Sequence, residues 1–120
     1  MKEILLVMLG SGIGGALRFL TGKGMSHFGL NFPLGTLTAN IAGCLLIGLF
    51  CAWSQKGAVS PEVKLMLTVG LCGGFTTFST FSNENLTFLS NGQWGMFALY
   101  TGISLALGIG AVWLGWTLGK

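Results

Sequence analysis

Charge is what this sequence has least of. Only 8% of its 120 residues are charged, and mean hydropathy is +0.77. There is no Asp at all, and the acids stop at Glu3, Glu62 and Glu84. Soluble domains carry roughly 25% charged residues. So few charges cannot cover a water-facing surface, whereas a lipid-facing surface needs none. The other scarcities exclude further classes. With no Asp and a single His27, expected in a loop, no Ser-His-Asp set and no metal-ligand spacing can be assembled, so an enzyme is not expected. The formal net charge of +3 comes from basic residues scattered singly, which gives no nucleic-acid footprint. Cys44, Cys51 and Cys72 all lie in apolar stretches without a CxxC, and read as small buried hydrophobes.

What is present is long apolar sequence between the rare charges. The stretches from Lys23 to Lys56, Lys64 to Glu84 and Glu84 to Lys120 each leave room for a membrane helix of ~20 residues. The last is divided by Ser90-Asn91-Gly92-Gln93, a turn. Four spans are expected, at about 4–22, 34–54, 63–90 and 95–118, forming a single membrane domain over 1–120. The first span follows Lys2 as a secretory signal would. Glu3 in the basic region and Arg18 at the cleavage position favour a retained helix.

Helix-start chemistry supports this division. Ser60-Pro61-Glu62 supplies an N-cap hydroxyl, a proline at the first helical position and an acid at the positive end of the dipole. Pro33 precedes the second span, and Trp53, Trp94, Trp113 and Trp116 fall near span ends, where interfacial anchors belong. Many of the 21 glycines show small-xxx-small spacing, as tightly packed membrane helices require. The run Gly10-Ser11-Gly12-Ile13-Gly14-Gly15 satisfies a dinucleotide fingerprint by spelling. That fingerprint needs an acid about 20 residues on, and the next acid here is Glu62. Orientation is weakly set: Lys2, Lys56, Lys64 and Lys120 fall on one side, against Lys23 and at most Arg18 on the other. Insertion in both directions, and an antiparallel dimer, are compatible with so small a bias.

Polar groups inside the spans carry the functional signal, because each is costly in hydrocarbon unless satisfied. Thr36 and Thr38 can bond back to their own helix. Asn40 cannot satisfy two donors and an acceptor that way, which leaves a functional role or interhelical glue. Tyr100 and Ser104 lie four apart on one face, a short polar track that Gly108 continues without a hydroxyl. Arg18 closes the first span, either as an interface anchor or as a fixed positive charge drawing an anion to a vestibule. The 28 residues from Val63 to Ser90 exceed the ~30 Å hydrocarbon thickness as one α-helix. A break near Gly73-Gly74 is expected there, since glycine tolerates the dihedrals. Such a break would free carbonyl oxygens, and Gly73 and Thr76 could offer theirs to a cation. Beyond it, Phe75, Phe78 and Phe81 recur at spacing three among Thr76, Thr77, Ser79, Thr80 and Ser82. Ring edges are positive, so rings and hydroxyls together suit a small desolvated anion.

GGFTTFSTFS followed by Glu84, with GTLTAN in the second span and GGALRF in the first, resembles the Fluc/CrcB fluoride channel family over essentially the whole chain. The resemblance implies an all-α membrane protein: four transmembrane helices, the third broken, in an antiparallel dual-topology homodimer in the cell membrane. It implies passive efflux of cytoplasmic fluoride through two pores. Phe78, Phe81 and Asn40 would line the pathway, with Tyr100, Ser104, Ser79 and Thr80 as further polar groups and Arg18 at the vestibule. A structural sodium ion would be held at the dimer centre by the Gly73 and Thr76 carbonyls of each subunit. The sequence departs from the pattern at Phe19, where tyrosine is frequent, and at Gly108, where a hydroxyl can extend the track. Two other readings share the four short spans. A small proton-coupled multidrug exporter would need a membrane-embedded acid, for which Glu84 is the only candidate. A non-transporting subunit of a larger complex would need no ordered polar stripe.

Overall fold

The computed structural model describes residues 1–29 and 32–120. It is all-helical, with no strand among the described residues. Helix α1 (Lys2–Met25) runs into a 3₁₀ turn over Ser26–Phe28, stopped by Gly29 at φ +64°, a left-handed cap that glycine adopts without a Cβ penalty. Exposed His27 lies in that turn. Helix α2 spans Leu34–Gln55. The third span begins with α3 (Pro61–Leu65), where the Val63 N–H donates to Ser60 Oγ at 3.2 Å, the cap expected of Ser60. It continues as a π-helix over Met66–Cys72, then α4 (Gly73–Phe75), a break, and α5 (Phe78–Ser90). The Asn91-Gly92 turn leads into α6 (Trp94–Gly119).

Four helical stretches are long and apolar enough to cross a membrane: Lys2–Phe28, Leu34–Gln55, Pro61–Ser90 and Trp94–Gly119. They cover the four expected spans with ends moved by a few residues. Their outward faces carry Leu5, Leu9, Leu20, Leu105, Ile109 and Leu118, each more than half exposed. The buried interior combines small residues such as Ala39, Ala52 and Ala111 with Phe50, Phe75 and Phe88, and Tyr100 is the large side chain that is fully buried among the described residues. Apolar outside and partly polar inside is the arrangement a bilayer selects. The chain is a multi-pass membrane protein.

Glycine sets the packing. A Cβ on Gly14 would overlap the Leu71 carbonyl oxygen, and one on Gly10 the Met66 carbonyl oxygen, so α1 lies directly on the third span's backbone. A Cβ on Gly48 would overlap the Val112 carbonyl and one on Gly115 the Leu45 carbonyl, so α2 and α6 touch backbone to backbone. These contacts also fix the register of α2 on α6. Gly48 faces Val112, and Gly108 faces the Cys44 sulfur. The same sequence interval pairs position 40 with 104 and 36 with 100. Both helices run in the same direction, as the second and fourth spans of four must.

The third span is interrupted close to Gly73-Gly74, as expected, but the glycines are not the residues that extend. Gly73 is helical, at φ −62° and ψ −39°. The chain opens three residues later, at Thr76 (φ −91°, ψ 161°) and Thr77 (φ −152°, ψ 122°). These are β-region values that any residue reaches and that β-branched threonine favours. Gly74 serves instead for contact: a Cβ there would press on the Ser11 backbone of α1. The seven-residue π-helix before the break has no signature in the sequence. Such segments are rare and concentrate near functional sites.

Candidate functional site

The break is held open by Asn40. Thr77 is extended, so its N–H and C=O point to the same side, as in a strand pair that exchanges both bonds. The Asn40 carboxamide meets both: the Thr77 N–H donates to Oδ1 at 2.7 Å, and Nδ2 donates to the Thr77 carbonyl at 3.1 Å. A side-chain amide thus replaces the missing backbone partner. Asn40 is interhelical glue, and one of its N–H donors is left over.

The break takes the helical donors from the carbonyls of residues 73–76, Gly73 and Thr76 among them. In a continuous helix the Thr77 N–H would bond to the Gly73 carbonyl. It goes to Asn40 instead. The Thr80 N–H, which would reach the Thr76 carbonyl, goes to Thr77 Oγ1 at 3.2 Å. Gly73 and Thr76 are therefore left with carbonyls deprived of their helical donors, a hard-oxygen set suited to a small cation such as sodium. No group of three or more His, Cys, Asp or Glu side chains stands ready for a metal among the described residues, so backbone oxygens are the ligands this segment can offer.

Asn40, Gly73, Thr76, Phe78, Phe81 and Ser104, all expected at the site, line one open cleft of about 380 Å³ between α2, α6 and the broken span. No charged side chain lines it among the described residues. Ser104 Oγ is buried without a hydrogen-bond partner. By the α2–α6 register it stands level with Asn40, whose spare N–H has no protein acceptor among the described residues. Phe78 is 79% exposed, and its ring centroid lies 5.9 Å from that of Phe81.

The remaining expected residues lie outside the cleft lining. Ser79 and Thr80 are exposed on the first turn of α5, where their hydroxyls lie 3.3 and 3.2 Å from the Oγ1 of Thr77, the residue that caps the helix. Arg18 is half-buried on α1, one turn from Gly22. A Cβ on Gly35 would sit 2.8 Å from the Gly22 Cα, so Arg18 shares the end of the bundle where α2 begins. Cys72 is 2% exposed, as a buried hydrophobe should be, but it and the half-buried Cys44 both border the cleft.

Tyr100 sits at the near end of the track, fully buried, with its ring 5.0 Å from Phe81 and in edge contact with Phe32 at 5.4 Å and Phe88 at 6.0 Å. Its hydroxyl donates to Glu84 Oε1 at 2.7 Å, while Thr36 Oγ1 donates to Oε2 at 2.9 Å. Thr36, Glu84 and Thr77 are the site residues that sequence reasoning did not place. The signal for the first two was available: Thr36 stands four before Asn40, Tyr100 four before Ser104, and Glu84 is the only acid in the third span beyond its first turn. Thr77 carried none for its pairing with Asn40, which its backbone makes.

The comparisons bear on this arrangement as a whole. Residues 5–116 match the family described as CrcB-like protein, Camphor Resistance (CrcB). The "Fluoride-specific ion channel FluC" of Phocaeicola vulgatus is 48% identical over 116 residues, covering 96% of each chain. The protein of that name from Flavobacterium psychrophilum is 47% identical over 122 residues, covering all of this chain and 98% of its own. The one from Aquifex aeolicus is 44% identical over 122 residues, with the same coverage. A match running from the first helix to the last, through the latched break and the track beside it, means that this chain belongs to the CrcB-like family.

Proposed function

We propose that this chain is the subunit of a fluoride-selective channel for passive efflux from the cytoplasm, and not an enzyme. The observation that carries this is the pair of donors left unpartnered beside the cleft: the spare Asn40 N–H and the Ser104 hydroxyl, on one level, in a cleft that no charged side chain lines among the described residues. Fluoride is small and tightly hydrated. To move it must exchange water for a series of hydrogen-bond donors, each strong enough to attract it and none strong enough to hold it. Neutral amide, hydroxyl and ring-edge groups meet that condition, and a lysine or arginine in their place would trap the ion. The relatives named above carry the same activity in their names.

The subunit works as one half of an antiparallel homodimer with two pathways. The cleft is open in a single chain, and Phe78 stands exposed at its edge, as it would if a second copy closed the wall. The weak charge bias between the two sides favours neither orientation. Sodium is the structural cofactor that the Gly73 and Thr76 carbonyls of both copies would hold. When bound it supplies a fixed positive charge that lowers the electrostatic barrier to an anion. Arg18 adds to that field at the entrance, and Tyr100, Ser79 and Thr80 supply further hydroxyls near the route. A proton-coupled exporter fits less well, because Glu84 is tied to Thr36 and Tyr100 and does not line the cleft.

Proteoliposomes loaded with fluoride or chloride and read with ion-selective electrodes test this directly. Rapid fluoride release with chloride retained is expected. No release, or equal release of both, overturns the reading.

A further inference from the structure

The track on α6 offers hydroxyls from Tyr100 and Ser104 and then reaches Gly108, which has no side chain to donate. At that level the facing helix supplies one. A Cβ placed on Gly108 would lie 3.6 Å from Cys44 Sγ, in ordinary contact, so the thiol stands beside the place where a third α6 side chain would project. The register is the one that pairs Thr36 with Tyr100 and Asn40 with Ser104. Positions 36, 40 and 44 on α2 thus stand opposite 100, 104 and 108 on α6, making three rungs. The first rung gives its two hydroxyl donors to Glu84, the second carries free donors from both helices, and the third carries one, the Cys44 thiol. Cys44 borders the same cleft as Asn40 and Ser104. One turn before it the unpartnered Ser104 Oγ is buried in that cleft wall, a separate sign that this wall is built for a ligand.

We propose that the Cys44 S–H is the third donor of the ion pathway, taking over at the Gly108 level from the Asn40–Ser104 rung. A thiol is a weaker donor than a hydroxyl or amide. At the middle of Leu34–Gln55 it therefore gives the ion a partner without holding it. This rests on the fluoride-channel reading and adds a residue to it. It also explains why a glycine is tolerated within the track: the donor at this level comes from across the cleft.

The test uses the full-length protein in proteoliposomes. Fluoride efflux and fluoride-over-chloride selectivity are measured for wild type, Cys44→Ala, Cys44→Ser and the double variant Cys44→Ala/Gly108→Ser. Cys44→Ala is expected to lower fluoride flux roughly 3- to 10-fold, the loss of one weak hydrogen bond to an ion. Cys44→Ser restores a donor from α2. The double variant restores one from α6, in the space the thiol has left, and both are expected to recover most of the lost flux. Elution as a monodisperse peak shows that each variant is folded. Wild-type flux from Cys44→Ala would overturn the proposal. So would loss in Cys44→Ala that neither hydroxyl repairs, because the sulfur's part would then be packing. Absence of fluoride flux in wild type would instead overturn the channel reading itself.

Discussion

The Asn40 carboxamide holds both backbone polar groups of Thr77, accepting from its N–H at 2.7 Å and donating to its C=O at 3.1 Å. One side chain on α2 thereby keeps the third span from closing into a continuous helix. The same contact leaves the Gly73 carbonyl without its helical donor and presents a remaining N–H to the cleft. The latched break, the freed Gly73 carbonyl and the spare N–H at the cleft all follow from one residue.

Replacing Asn40 by Asp should therefore do two things. It puts a carboxylate oxygen against the Thr77 carbonyl where a donor stood, and a negative charge in an anion's route. Fluoride efflux is expected to fall at least ~10-fold and folding stability by about 1–3 kcal/mol. Thermal unfolding in detergent and the electrode assay report the two effects separately. A variant with normal flux would remove Asn40 from the pathway.

Tyr100→Phe keeps the ring contacts with Phe32, Phe81 and Phe88 and removes only the donation to Glu84. The carboxylate then has Thr36 alone. The fold should survive, with flux reduced several-fold, since a hydrogen bond to a charged group contributes about 1.5–3 kcal/mol. Flux equal to wild type would show that the Thr36–Glu84–Tyr100 group is structural only.

Backbone contact between α2 and α6 makes Gly48→Ala and Gly115→Ala severe. Each added methyl overlaps a carbonyl of the facing helix, and overpacking of this kind costs about 1–3 kcal/mol or more. Aggregation on extraction, or a lowered melting temperature, is the expected result. Gly95→Ala serves as the comparison, because nothing lies within 4 Å of its added methyl. Equal behaviour of the three variants would contradict the register described above.

Sodium dependence tests the freed carbonyls. Exchange of sodium for N-methylglucamine on both sides of the membrane, during purification as well as assay, should lower fluoride flux by about 10-fold or more, the effect of losing a dominant local charge. Equal flux with and without sodium would leave the Gly73 and Thr76 oxygens without that role.

Four membrane helices were legible from the sequence because a bilayer imposes two crude demands, length and lack of charge, and both are written residue by residue. So were the Ser60 cap, the Asn91-Gly92 turn and the oddity of Asn40 and Tyr100, since a polar group in hydrocarbon needs a reason wherever it falls. The partners of those groups came only from tertiary structure. That Asn40 answers Thr77, that Thr36 and Tyr100 converge on Glu84, and that Cys44 faces Gly108 depend on the register of one helix against another. Glycine contacts between distant segments set that register, and no local pattern encodes it. The third span shows the division most clearly. Its excess length foretold an interruption, but the π-helix and the opening at Thr76–Thr77 were decided by where α1 and α2 press on it, because a backbone gives up its own hydrogen bonds only where neighbours supply others.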